Sequence, residues 1–246
     1  MGTTQLETVP EPKYWHLKTV LSEALDSEFA VGQVLPNERD LAARFGVARA
    51  TLRQALEQLE LEGRLQRRRG VGTTVAPPRV TVSLDRTERV WPGGPEDAWQ
   101  PVDATETDEV PAAVARLLDE PGTVHVVRRL LVSYGQPVAA ELLYVPVDRL
   151  PGLSRIAGGS DATRARAVLR ELQHLECEGQ DRAVELGSAR AEDARELDRL
   201  PGAPVLVVTT RYLSANAVAA VAVSTYRADT CRLGFGDTDP QAALAG

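Results

Sequence analysis

The sequence predicts an α+β protein in two parts: a small helix-rich N-terminal part and a larger part built on an antiparallel sheet. Three observations carry this. Residues 35–76, LPNERDLAARFGVARATLRQALEQLELEGRLQRRRGVGTTVA, read as two short amphipathic helices at a tight turn, then a two-stranded ribbon with a glycine tip. Beyond residue 108, β-rich runs come in pairs around turn signals, interleaved with short helical patterns. The length, 246 residues, accommodates about two domains.

Residues 1–12 are polar with two prolines and are expected to be a flexible tail. Over residues 14–27, Leu17, Val20, Leu21, Ala24 and Leu25 fall at helical spacing. A second helix is expected over 37–45, with Asn37 as N-cap and Glu38 and Asp40 at the positive end of the dipole. Gly46 supplies the sharp turn. A third helix follows over 48–62, with Leu52, Ala55, Leu56 and Leu59 inward and Gly63 at its C-terminal end. Strands at 65–69 and 73–76 flank Gly70-Val71-Gly72, and Pro77-Pro78 ends the ribbon.

Residues 78–108 carry little pattern and are expected to be linker and loop. A short helix is expected over 110–118, then strands over 123–133 and 138–145 about the turn Tyr134-Gly135-Gln136-Pro137. Gly158-Gly159-Ser160 precedes a helix over 161–174, a strand follows at 183–188, and another helix at 191–200. A second hairpin is expected from 205–214 and 217–227. The domains are thus 13–77, a winged helix-turn-helix, and 109–236, an α+β domain, with a tail at 237–246.

Composition excludes several function classes. No apolar run reaches the ~18 residues of a transmembrane helix, and the N-terminus lacks a secretory pattern. His16, His125 and His174 are not at metal-ligand spacing, and Cys177 and Cys231 form no pattern, so neither a metal nor any other cofactor is expected. A cytoplasmic location is expected. Net charge is −7, but residues 48–79 hold Arg49, Arg53, Arg64, Arg67, Arg68, Arg69 and Arg79 against Glu57, Glu60 and Glu62, a local excess of four positive charges. A basic reader on an acidic body suits specific DNA binding.

The chemistry follows from the residue types. Arginine is the best single reader of guanine, because its fork meets O6 and N7 together. Arg49 and Arg53 are four apart and share a helix face. Thr51 and Gln54 can add base or phosphate contacts, and Arg39 on the preceding helix is placed for the DNA backbone or the groove edge. The wing offers Arg67, Arg68 and Arg69 beside Gly70 and Gly72; the glycines permit close approach to the minor groove, where arginine, Arg69 in particular, is favoured by the negative potential. Arg64 suits packing or phosphate contact better than base readout.

The stretch at 35–76, with PKYWHLKTVL before it, resembles the N-terminal domain of GntR-family bacterial transcription regulators. The resemblance assigns DNA contacts to Arg39, Arg49, Thr51, Arg53 and Gly72; Val71 departs from the basic residue often found at that tip. Farther on, GQPVAAELLYVP, GAPVLVVTTRYL and the STYRAD segment resemble the HutC-like branch, whose effector domain (UTRA) has a chorismate-lyase-like fold. The β-rich pattern argues against the all-helical FadR-like branch. The resemblance implies a homodimer through this domain, a small-molecule effector, and effector-binding roles for Arg129, Glu141 and Tyr226. Glu141 paired only with Arg129, and Tyr226 as a plain sheet residue, are the competing readings.

Three departures argue against a sugar phosphate: no F-T-x-D-M-like stretch in 87–100, Ala220 where an acidic residue is expected, and Leu131 in place of a second arginine. The apolar run 217–223 suits either the pocket of an apolar effector or a strand buried between subunits. The leading expectation is a homodimeric repressor on a palindromic operator, modulated by an effector. The alternative is a constitutive DNA-binding regulator with a degenerate effector site. No nucleophile–base pair or cofactor lysine stands out, so an enzyme is not expected.

Overall fold

Helix α1 (Lys13–Glu28) turns Leu17, Leu21, Ala24 and Leu25 onto one buried face. Against it pack α2 (Glu38–Phe45) and α3 (Arg49–Leu61). The Asn37 side chain accepts a hydrogen bond from the Asp40 amide at 3.0 Å, which caps α2 as the sequence predicts. Gly46 ends α2 at φ +65°, a left-handed conformation that a side chain would strain. Leu52 and Leu59 of α3 are fully buried, each stabilising the unit by roughly 1.5–3 kcal/mol. Gly63 and Arg64 then donate to the carbonyls of Glu60 and Leu59 at 2.9 and 2.8 Å, closing α3 with a Schellman motif. Strands β1 (Leu65–Arg68) and β2 (Gly72–Val75) form the antiparallel ribbon. The Leu35 amide donates to Thr73 at 2.8 Å, tying the entry of α2 to the ribbon.

The computed structural model describes residues 13–68, 70–84, 89–155 and 160–235, and it divides at Arg79/Val80 into two units. The tails expected at 1–12 and 237–246, the Gly158-Gly159 pair and Arg69 lie outside the described residues.

The second unit is organised on a six-stranded antiparallel sheet. Its strands are β4 (Trp99–Thr107), β5 (Val124–Ser133), β6 (Gln136–Pro146), β7 (Gly179–Ser188), β8 (Pro204–Ser214) and β9 (Ala217–Arg227), in the order β4-β5-β6-β9-β8-β7. Helix α5 (Asp161–Leu172) covers one face over Ala104, Val127, Leu143 and Ala222. Helices α4 (Ala112–Leu117) and α6 (Ala191–Glu196) cover parts of the other. Both expected hairpins form, each on a two-residue turn with positive φ: Tyr134 and Gly135 at +49° and +72°, Ala215 and Asn216 at +50° and +57°.

Four expectations change. The stretch 78–108 is not patternless: it holds β4 and a short strand β3 (Val80–Ser83), which pairs in parallel with β10 (Cys231–Gly234). β3 and β10 are four residues long, and Pro101 interrupts the alternation of β4 at a register shift, so neither region shows a clean period. Strand β7 begins at Gly179 and not at 183. Its first residues are polar and become a strand by pairing with β8. The helices over 161–174 and 191–200 end sooner, at Leu172 and Glu196. The apolar run in β9 is not a subunit strand: β9 lies between β6 and β8 with both ladders in use, and its apolarity serves the chain's own core.

Candidate nucleic-acid interface and effector site

The outward face of α3 is set by its buried stripe. With Leu52, Ala55, Leu56 and Leu59 inward, Arg49, Arg53 and Gln54 are exposed and Thr51 is half-buried. Arg39 on α2 is exposed, and so are Gly70 and Gly72 at the wing. Gly70 and Gly72 take φ of +78° and +116°, which fixes the tip in a form open to glycine. Val71 is 54% exposed, an apolar tip.

Glu38, at the start of α2, ties this surface together. The Arg53 guanidinium meets it with Nη2–Oε2 at 2.8 Å. Hydrogen bonding from Arg53 holds the Glu38 carboxyl below the usual range; it outweighs the opposing effect of burial, and the charges of Arg53, Arg67 and Arg49 add to it. The same carboxylate raises the Arg53 guanidinium. Two helices and the wing therefore converge on one electropositive patch. Arg67, offered with the other wing arginines but not assigned a contact of its own, belongs to it; it also pairs with Glu60 at 3.2 Å. Its only sequence signal is membership of the arginine run. Arg64 points elsewhere and pairs with Asp26 on α1.

In the second unit the three expected effector residues lie on one face of the sheet. Register sets Arg129 of β5 opposite Glu141 of β6, and Glu141 opposite Ser224 of β9, with Tyr226 two residues along. A bulge at Val138 makes the first pairing possible: on the turn-proximal side Val132 faces Pro137, and beyond it Leu131 faces Ala139. Without that extra residue Arg129 would face Ala140.

Arg129 is 2% exposed. Its Nε donates to Glu141 Oε1 at 2.9 Å, Nη2 donates to the same carboxylate, and Nη1 donates to Asp97. Ser224 Oγ donates to Glu141 Oε2 at 2.7 Å. Asp97 also accepts from the amides of Gly93 and Trp99, so the loop before β4 is folded around its carboxylate. The Arg129 guanidinium lies 5.4 Å from the Trp99 ring centre, and Trp99 meets Tyr226 edge-on at 5.8 Å. Trp91 stacks on Tyr212 at 5.4 Å.

Burial alone would lower Arg129, but the charges of Glu141 and Asp97 overcome it and the guanidinium stays firmly charged. Burial raises both Tyr212 and Tyr226, so both phenols are neutral. Arg129, Glu141 and Tyr226 are thus brought into one buried network. Asp97, Trp99 and Ser224 complete it and were not expected. For Asp97 no signal existed, because its partner is remote in sequence.

Comparison with known proteins bears on both units. Residues 14–75 match "Bacterial regulatory proteins, gntR family", and residues 103–232 match "UTRA domain". The HTH-type transcriptional repressor NagR of Bacillus subtilis is 28% identical over 237 residues, covering 89% of this chain and 92% of the repressor. The HTH-type transcriptional repressor PhnF of Mycolicibacterium smegmatis is 34% identical over 149 residues, 57% of this chain and 59% of that one. Among solved structures, that of PhnF from Mycobacterium smegmatis superposes with a TM-score of 0.52 at 24% identity, covering 90% of this chain and 98% of that one, a likeness of fold.

Proposed function

Since the chain belongs to the GntR family with a UTRA domain, and so is a DNA-binding transcription regulator with an effector domain and not an enzyme, we propose that it is a homodimeric repressor of a palindromic operator, released or tightened by a small molecule. The observation that carries this is the pairing of an exposed arginine surface on α3 and the wing with a second unit whose sheet encloses a charged network. Reading is assigned to residues 13–77 and sensing to 109–236 with the strands just before it.

In this reading α3 enters the major groove with Arg49 and Arg53 toward base edges and Thr51 and Gln54 beside them. Arg39 meets the backbone. The wing, with Arg69, Gly70 and Gly72, approaches the minor groove. Arg53 must leave Glu38 to reach a base. That exchange costs little at an exposed pair. It also means that a non-specific phosphate competes with Glu38, which favours release from the wrong sequence.

The effector is proposed to act where Arg129, Glu141 and Tyr226 meet. Asp97 already supplies Arg129 with a carboxylate, so an incoming acidic group must displace it and free the loop around Gly93. The effector can shift the separation of two reading heads only by binding one arrangement better. Cys177 and Cys231 are both buried thiols far apart in sequence, which suits the cytoplasm. No described helix is long and apolar enough to cross a membrane.

The test is a gel shift on DNA upstream of the chain's own gene at moderate salt. A shift that an inverted repeat there reproduces is expected, with a stoichiometry of two chains per site. Failure on every inverted repeat in that region overturns the reading. A constitutive regulator differs only in its indifference to metabolites, and the UTRA match over 103–232 does not favour it.

A further inference from the structure

Strand β7 closes one edge of the six-stranded sheet, and no described strand pairs with its outer side. It is 10 residues long, and its register with β8 runs unbroken from Gly179 to Ser188. Just beyond it, the Ala189 amide donates straight across to the Ala203 carbonyl at 2.8 Å. Residues bonded directly across an antiparallel ladder alternate with residues that are not. The backbone groups of Val184 and Leu186 therefore point away from β8, toward the open edge. An edge of this length is ordinarily guarded by lysine, proline, a bulge or a covering segment. β7 holds neither lysine nor proline and has no bulge against β8.

Its apolar side chains are also exposed. Leu186 is 77% exposed and Val184 39%. They stand opposite Leu206 and Val208, so they share the sheet face that carries the cluster of Leu84, Leu206, Val208 and Cys231. Phe235, 64% exposed, lies with Leu84 beside Gln180 and Arg182 at the start of the strand. The edge thus carries exposed apolar groups near both of its ends.

A second copy that continues the sheet about a two-fold axis adds its own β7 antiparallel to this one. Such an axis keeps each face on its own side, so every residue meets one of the same parity and the axis passes a single residue. Charge then selects that residue. Axes at 181, 182 and 185 set Asp181, Arg182 and Glu185 each against itself, and an axis at 183 sets Asp181 against Glu185. The axis at Val184 avoids every such clash and pairs residues 180–188, almost the whole strand. An axis at Leu186 avoids them too but pairs only 184–188. With the axis at Val184, Val184 meets its counterpart and Leu186 meets the aliphatic stem of Arg182. The same rotation carries Leu186 toward Phe235 of the second copy.

We propose that the seam of the homodimer is β7 against β7, centred on Val184, so that one sheet runs through both copies. This rests on the homodimer reading above and names the surface that serves it.

The test is sedimentation equilibrium of the full chain at micromolar concentrations. The wild type is expected to be a dimer. Val184→Lys and Val184→Glu each set like charges together at the axis and should raise the dimer Kd by about tenfold or more. An equal mixture of the two should recover a dimer, because only an axis at 184 sets the lysine against the glutamate. Leu186→Lys reads the same seam from a side chain already in water and should also weaken it. Tyr134→Lys, at the exposed turn between β5 and β6, should leave association unchanged. Circular dichroism checks the folding of each variant. A wild-type dimer that Val184→Lys and Leu186→Lys leave intact overturns the seam and spares the homodimer. A mixture no tighter than either variant alone overturns the axis at Val184. A wild type that stays monomeric overturns both the seam and the homodimer.

Discussion

Removing the Glu141 carboxylate tests whether the Arg129 network is a closed part of the core. In Glu141→Ala, Arg129 loses two of its three named hydrogen bonds, and Ser224 loses its acceptor. Arg129 and Glu141 are 2% and 5% exposed, so water does not replace the lost partner cheaply. Breaking a buried pair from one side costs about 3–5 kcal/mol. For a unit of this size each kcal/mol lowers the melting temperature by about 2–4 °C, so the fall should be roughly 6–20 °C. Differential scanning calorimetry of the full chain reads it in the transition of the second unit. Arg129→Met combined with Glu141→Leu should recover at least half of the loss, because no buried cation is then stranded. Glu141→Gln should cost less than Glu141→Ala, since its amide oxygen still accepts from the network and no cavity is left, while Asp97 balances the Arg129 charge in both variants. A fall below about 2 °C in Glu141→Ala would refute the reasoning. It would mean that the network is open to solvent.

Other predictions concern both units. Asn37→Ala removes the cap of α2 and should destabilise the first unit by about 1 kcal/mol, read from its urea midpoint. Arg53→Ala should weaken operator binding by about 1–3 kcal/mol and relax preference at one base, whereas Glu38→Ala should raise affinity for unrelated DNA, both read by fluorescence anisotropy. Stability should also depend on His125. Its folded value lies below the unfolded one, so below about pH 6.5 the unfolded chain takes up the proton more readily and stability falls as pH drops. The charge of Glu106 opposes this but does not reverse it. Urea midpoints at pH 7.5 and 5.5 should converge in His125→Gln, and an unchanged pH slope there would assign the effect to other groups.

The reading unit was legible because its signals are local. Asn37, Gly46 and Gly63 mark helix ends within a residue or so of where they fall, and the stripe Leu52–Leu59 fixes the outward face of α3. The hairpins were legible for the same reason, through their two-residue turns. The rest depends on contacts between distant residues. Parallel pairing of Val80 with Cys231 leaves no local trace. Asp97 reads as an ordinary loop residue until Arg129 is placed above it. The bulge at Val138, which decides whether Arg129 faces Glu141 or Ala140, changes no residue type and so no pattern. Arg67 was offered with Arg68 and Arg69 but not assigned a contact of its own, because a run of three arginines does not say which members a strand will expose.

The parallel ribbon of β3 and β10 has a consequence for how the chain is made. Its two strands lie about 150 residues apart, so β3 leaves the ribosome long before its partner exists. At ordinary synthesis rates that interval is roughly 8–30 seconds. The first unit ends at Arg79 and is complete before the interval begins. Until residues 231–234 emerge, Val80 and Val82 have no partner strand, and the cluster of Leu131, Tyr226 and Cys231 stays unsealed. A chain interrupted late in translation therefore carries a finished reading head and an unfinished sensor, and the last strand among the described residues is the one that closes the second core.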